Sequence, residues 1–144
     1  MKFKKRKKTE WIVIHCAATP PDMEVTAKMI DQWHRDRGWD GIGYHYVIRR
    51  DGVIEGGRPL EAQGAHVKGY NAVSVGICLA GGMSKDMKKA EKNYTNKQWD
   101  SLKQLVMQLH GVWPMAHIVG HHDLFSGKEC PCFDVKEWLY GIGL

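Results

Sequence analysis

From Gly120 to Asp134 the chain reads GHHDLFSGKECPCFD, which places two histidines, a lysine and two cysteines within one short stretch. Imidazole and thiolate are ligand types that suit zinc, and a cation stands beside them. A catalytic zinc takes three protein ligands and keeps a fourth position for water. This stretch can supply two. The remainder therefore reads as the scaffold that brings a third ligand, and a substrate, to the same place.

Working outward, Ile118 and Val119 read as a short strand delivering His121. Asp134 and Glu137 suggest a capping box opening a last helix through Trp138 and Leu139. Upstream, Thr95 and Gln98 form a capping-box pair, and Trp99, Leu102, Leu105, Val106 and Leu109 make one apolar stripe ended by Trp113-Pro114. Val73 to Ala80 predicts a strand buried on both faces. Arg58 to Tyr70 has no periodicity and reads as a long surface loop; GAHVKGYN, at its end, gathers His66, Lys68, Tyr70 and Asn71. YHYVIRR reads as a strand, with Asp51-Gly52 as a two-residue hairpin signal before VIEGG. Thr26 to Arg37 reads as a helix with Thr26 as N-cap and Gly38 as its stop. Trp11 to Cys16 is a buried strand, with His15 and Cys16 on opposite faces at its end. Strands and helices in this order predict one α/β (α+β) domain, a central mixed sheet flanked by helices.

The chain has 144 residues and a formal charge of +5, unevenly placed. MKFKKRKK holds six of the 21 basic residues, so the body is nearly neutral. Residues 1–9 read as a basic tail and 10–144 as the domain. The tail is expected to be a solvated, disordered segment, or a loose contact for an anionic polymer. No apolar run follows it that would make a signal peptide or a membrane span. The expectation is a chain that is cytoplasmic when synthesised and does not insert into a membrane. Its four cysteines then read as thiols or ligands rather than disulfides.

From residue types alone the ligand candidates are His15, His45, His66, His117, His121, His122, Cys16, Cys130 and Cys132. His15 and His121 stand at strand ends beside loops, where a site is held rigidly. Cys130 comes nine residues after His121, far enough for a loop to fold back. The spacing matches neither C-x-x-C nor H-E-x-x-H, and inert thiols and surface histidines remain the plain alternative.

Six segments in order are more specific: VIHCAAT, WHRDRGWDGIGYHYVIRRDG, GRPLEAQGAHVKGYN, SVGICLAGG, GHHD and KECPCFD. Together they resemble the zinc N-acetylmuramoyl-L-alanine amidases of the phage lysozyme type, which are related in fold to animal peptidoglycan recognition proteins. The resemblance runs from about residue 3 to residue 140. It implies one zinc per chain, held by His15, His121 and Cys130. It also implies catalytic roles for Tyr44 beside the metal and for Lys128 near the reacting carbonyl. His66 would line the substrate groove, with Lys68, Tyr70 and Asn71 on the same loop. The implied reaction is hydrolysis of the amide between N-acetylmuramic acid and L-alanine in bacterial peptidoglycan, by a monomer that reaches the wall after release. Cys132 stands where relatives carry a small hydroxyl residue, and one residue is added between His121 and Cys130. Two other readings of the resemblance are a non-catalytic peptidoglycan-binding module and a regulator that binds RNA polymerase, as one phage lysozyme of this type does.

Overall fold

The computed structural model describes residues 3–144. Strands β1 (Trp11–Cys16), β2 (Tyr46–Ile48), β3 (Ile54–Gly56), β4 (Ser74–Leu79) and β5 (His117–Gly120) form one sheet in the order β3-β2-β4-β1-β5. β1 runs parallel to β4 and β5, β2 parallel to β4, and β2 and β3 form an antiparallel hairpin. Helices α1 (Ala27–Asp36), α2 (Asn96–Val112), α3 (His121–Leu124) and α4 (Val135–Gly141) complete the α/β domain.

Alternation along the strands divides the interior in two. Ile12, Ile14 and Cys16 of β1 and Val75, Ile77 and Leu79 of β4 pack with Leu102, Leu105, Val106 and Leu109 of α2. On the other side Cys78 and Ala80 meet Val25, Ile30, Ile42 and Val47. The caps expected on α1 and α2 form, and on α4 Asp134 accepts the Glu137 amide at 3.1 Å without the return bond of a capping box. Thr26 accepts the Met29 amide at 3.2 Å, and Thr95 and Gln98 exchange both capping-box bonds. Gln98 is fully buried and ties the start of α2 to the sheet, donating to Ala80 O at 2.8 Å and Ile48 O at 3.2 Å.

Four features depart from the sequence reading. The hairpin loop is three residues long rather than two: Arg49 donates to Val53 O at 3.0 Å, and Gly52 takes the left-handed conformation, φ +85°. β5 delivers His121 as expected, but His121 then opens a short helix that the sequence reading did not include. A 3-10 turn, Asn71–Val73, precedes β4. The basic tail, from Lys4 to Lys7, is docked through its backbone, with its lysine side chains exposed. Arg6 donates to Glu61 O, Gln63 to Lys4 O and Lys7 to Ala72 O, at 2.7–2.9 Å. The long loop needs partners for its backbone groups, and the tail supplies them. Met1 and Lys2 lie outside the described residues. Among those residues no helix is long and apolar enough to cross a membrane.

Two buried histidines help fix the loops around the site. His45 Nε2 donates to Ala62 O at 2.8 Å, and its Nδ1 accepts the Gly76 amide at 3.0 Å. His34 Nδ1 accepts the Gly43 amide at 2.9 Å. Burial first, then neighbouring arginines, holds both near a pKa of about 4. The unfolded chain therefore binds protons that the folded chain refuses between pH 6.5 and 4. Stability should fall as pH drops through that window, by up to about 1.4 kcal/mol per pH unit for each histidine. Urea unfolding at several pH values checks this. His45→Gln should give a shallower slope, and a flat profile for the parent would contradict the account.

Candidate metal centre and substrate cleft

β1 and β5 pair with Ile14 opposite Gly120. The next residue on each is a histidine, so the parallel register brings His15 and His121 together at the C-terminal edge of the sheet. Their ring centroids are 4.6 Å apart. Asp123 Oδ2 accepts the Gly120 amide at 2.8 Å, which closes the start of α3 and sets where His121 leaves the strand.

Cys130 returns from the following loop. Its sulfur accepts the Cys16 amide at 2.9 Å, and its carbonyl accepts the His122 amide at 2.9 Å. One ligand atom each from His15, His121 and Cys130 lies within 4.8 Å of the others, and among the described residues no other histidine, cysteine or carboxylate group of three does so. Burial, with His66 and His121 as neighbours, holds the His15 pKa well below its ordinary value. Burial and then Lys128 lower that of His121. Both imidazoles are therefore neutral near pH 7 and keep a lone pair for an ion.

The remaining candidates do not join this group of three. His45 spends both nitrogens on backbone. His117 stacks on Trp11 with centroids 4.9 Å apart, at the far end of β1. His122 lies in α3 and turns toward Asp123, 3.7 Å away. Cys16, Cys78, Cys130 and Cys132 are free thiols. Cys132 bonds to Gly82 O at 3.4 Å, and the Cys16 thiol is pushed up to about 12, chiefly by its hydrogen bond with Cys130.

Tyr44 lies beside the centre, its ring 5.0 Å from that of His15. Burial first, then nearby thiols, raises its pKa well above the usual phenol value, so it stays protonated. A cleft of about 410 Å³ opens in front, lined among others by His66, Lys68, Asn71, His121 and Lys128. Tyr70 is not on it: its ring packs edge-on against Trp11, with centroids 5.7 Å apart. Asn71 reaches the cleft, but its Oδ1 accepts the amides of His66 at 2.8 Å and Val67 at 2.9 Å. Trp39 and Phe125 also line the cleft and are 39% and 37% exposed. The sequence reading passed over both. Their signal was an exposed aromatic in each of two loops flanking ligand-type residues.

The family model for N-acetylmuramoyl-L-alanine amidase matches residues 5–133. The endolysin of Enterobacteria phage K11 is 45% identical over 140 residues, covering 96% of this chain and 91% of that protein. The endolysin of Escherichia phage T7 is 43% identical over 138 residues, covering 96% and 90%. Among solved structures, the endolysin amidase LysCS of Clostridium intestinale superposes with a TM-score of 0.84 at 32% identity, covering 100% of this chain and 90% of that one. The chain thus belongs to the N-acetylmuramoyl-L-alanine amidase family. Its activity is hydrolysis of the amide that joins N-acetylmuramic acid to L-alanine in peptidoglycan.

Asn71 ties this cleft to the backbone of its own loop. Asn71→Ala leaves two amides without an acceptor and should cost about 1–3 kcal/mol. Hydrogen exchange should quicken at His66 and Val67 while the amides of β4 stay protected. Unchanged exchange at those two positions would show that the side chain does not hold the loop.

Proposed function

We propose that the hydrolysis is zinc-dependent, with one ion per chain held by His15, His121 and Cys130. The observation that carries this reading is the convergence of the three ligand atoms within 4.8 Å, next to the cleft that His121 lines, in a chain of this family. The donor set fits zinc: two neutral imidazoles and one thiol, drawn from a strand end, a helix start and a loop. Zinc bound there would supply Lewis acidity toward a carbonyl and a water acidified to a pKa of about 7.

The chain's own residues bind and orient the substrate. The Tyr44 hydroxyl, kept protonated by burial, donates a hydrogen bond to the oxygen that gains charge as the amide is attacked. Lys128 brings a positive charge to the same oxygen from the cleft wall. Lys68 offers a second cation at the rim, and Trp39 and Phe125 present apolar faces on which sugar rings can stack. One chain supplies every one of these groups, which supports action as a monomer.

Metal analysis of the purified protein should find one zinc in the parent and none in Cys130→Ser. A chelator should abolish clearing of a cell-wall suspension, and added zinc should restore it. Tyr44→Phe and Lys128→Ala should each keep zinc and lower kcat by about 10²-fold. Clearing that ignores the chelator would sink the metal reading. Muropeptide binding without hydrolysis would make the chain a binding module instead.

A further inference from the structure

His66 makes more contacts than a cleft wall requires. Its ring lies against β4 where the strand has no side chain: a Cβ on Gly76 would stand 2.8 Å from His66 Cγ and Nδ1. Both ring nitrogens are engaged. Nδ1 lies 2.8 Å from His15 Nε2, and Nε2 lies 3.1 Å from the buried Ser74 Oγ. Ser74, His66 and His15 therefore form a chain of hydrogen bonds ending on a ligand of the proposed metal centre.

The direction of that chain can be worked out. A neutral imidazole carries one N–H and one acceptor nitrogen. Suppose His66 Nδ1–H were the donor. His15 would then spend its Nε2 lone pair on His66 and carry its proton on Nδ1, leaving nothing for an ion. If His15 Nε2–H is the donor, its Nδ1 lone pair stays free. Nδ1 is also the nitrogen nearer the backbone, and the Cys130 sulfur sits 2.9 Å from the next backbone amide, that of Cys16.

We propose that His66 is a positioning residue for the metal centre: it accepts the Nε2–H of His15, passes its own Nε2–H to Ser74 Oγ, and so commits His15 to bind through Nδ1. This rests on the zinc reading above. Metal-bound histidines generally donate their second N–H to an acceptor that fixes the tautomer, and losing that acceptor typically weakens the metal about 10–100-fold. The acceptor is usually a carboxylate, a carbonyl or water; here a second histidine, itself backed by a serine, holds the position.

Competition with a chromophoric chelator gives the zinc affinity of the parent and of three variants. His66→Ala should bind about 10–100-fold more weakly, with Ser74→Ala shifted less in the same direction. His66→Asn, whose Oδ1 can stand where Nδ1 stood and accept the same proton, should recover most of the loss. Nitrogen-15 NMR of the zinc-loaded parent should show His15 carrying its proton on Nε2. Parent-like affinity in His66→Ala, or zinc found on His15 Nε2, overturns this proposal alone. A parent that binds no zinc overturns the metal reading as well. Should His66→Ala fail to fold, the parent tautomer and His66→Asn decide the matter.

Discussion

The molecule depends on one pairing, β5 against β1 in parallel, with Ile14 opposite Gly120. Parallel neighbours advance in the same direction, so the residues that follow this pair stand side by side. Both are histidines. Slipping the register by one residue would separate them and turn the strand's side chains to the wrong faces. β1 cannot slip easily, because it is also locked to β4 over its whole length, from Trp11 opposite Ser74 to Cys16 opposite Leu79. The core packing on the α2 side thus fixes the geometry of a site on the opposite face.

Around that pairing the chain arranges groups that are neutral at neutral pH. His15, His34, His45, His66 and His121 all have lowered pKa values, with burial the largest cause in each case. Burying this many imidazoles close together is tolerable only while they stay uncharged and their nitrogens find partners. The backbone of Gly43, Ala62 and Gly76 and the hydroxyl of Ser74 supply several of those partners. Tyr44 follows the same rule from the acid side, since burial keeps its proton on.

Much of this was legible in the sequence because it follows from local rules. β-branched runs between turn residues gave the strands, and Thr26, Thr95 and Asp134 gave the helix starts with their side-chain bonds. The family motifs pointed to His15, His121 and Cys130, which the fold brings together. What stayed hidden depends on contacts between distant segments. Tyr70 shares a loop with His66 yet turns to Trp11, a choice set by the 3-10 turn that follows it. Asn71 does reach the cleft, but its Oδ1 also holds its own loop's amides, which its position in the sequence did not reveal. The lysine-rich start looked like a solvated tail because its partners, residues 61–72, lie far along the chain. Charge patterns describe side chains, and here the backbone decides.

β4 shows two faces of very different bulk. Toward α2 it presents Val75, Ile77 and Leu79; toward the site it presents Ser74, Gly76 and Cys78. On the first face aliphatic residues can exchange as long as total volume is kept. On the second the space above the strand is already filled by imidazole and phenol rings, so almost any heavier side chain collides with them. The two faces should therefore drift at unequal rates over evolutionary time. Among distant descendants of this chain, the row with the least mass should be the slowest to change, and that thin row would mark the site even where the segments bearing His121 and Cys130 had diverged.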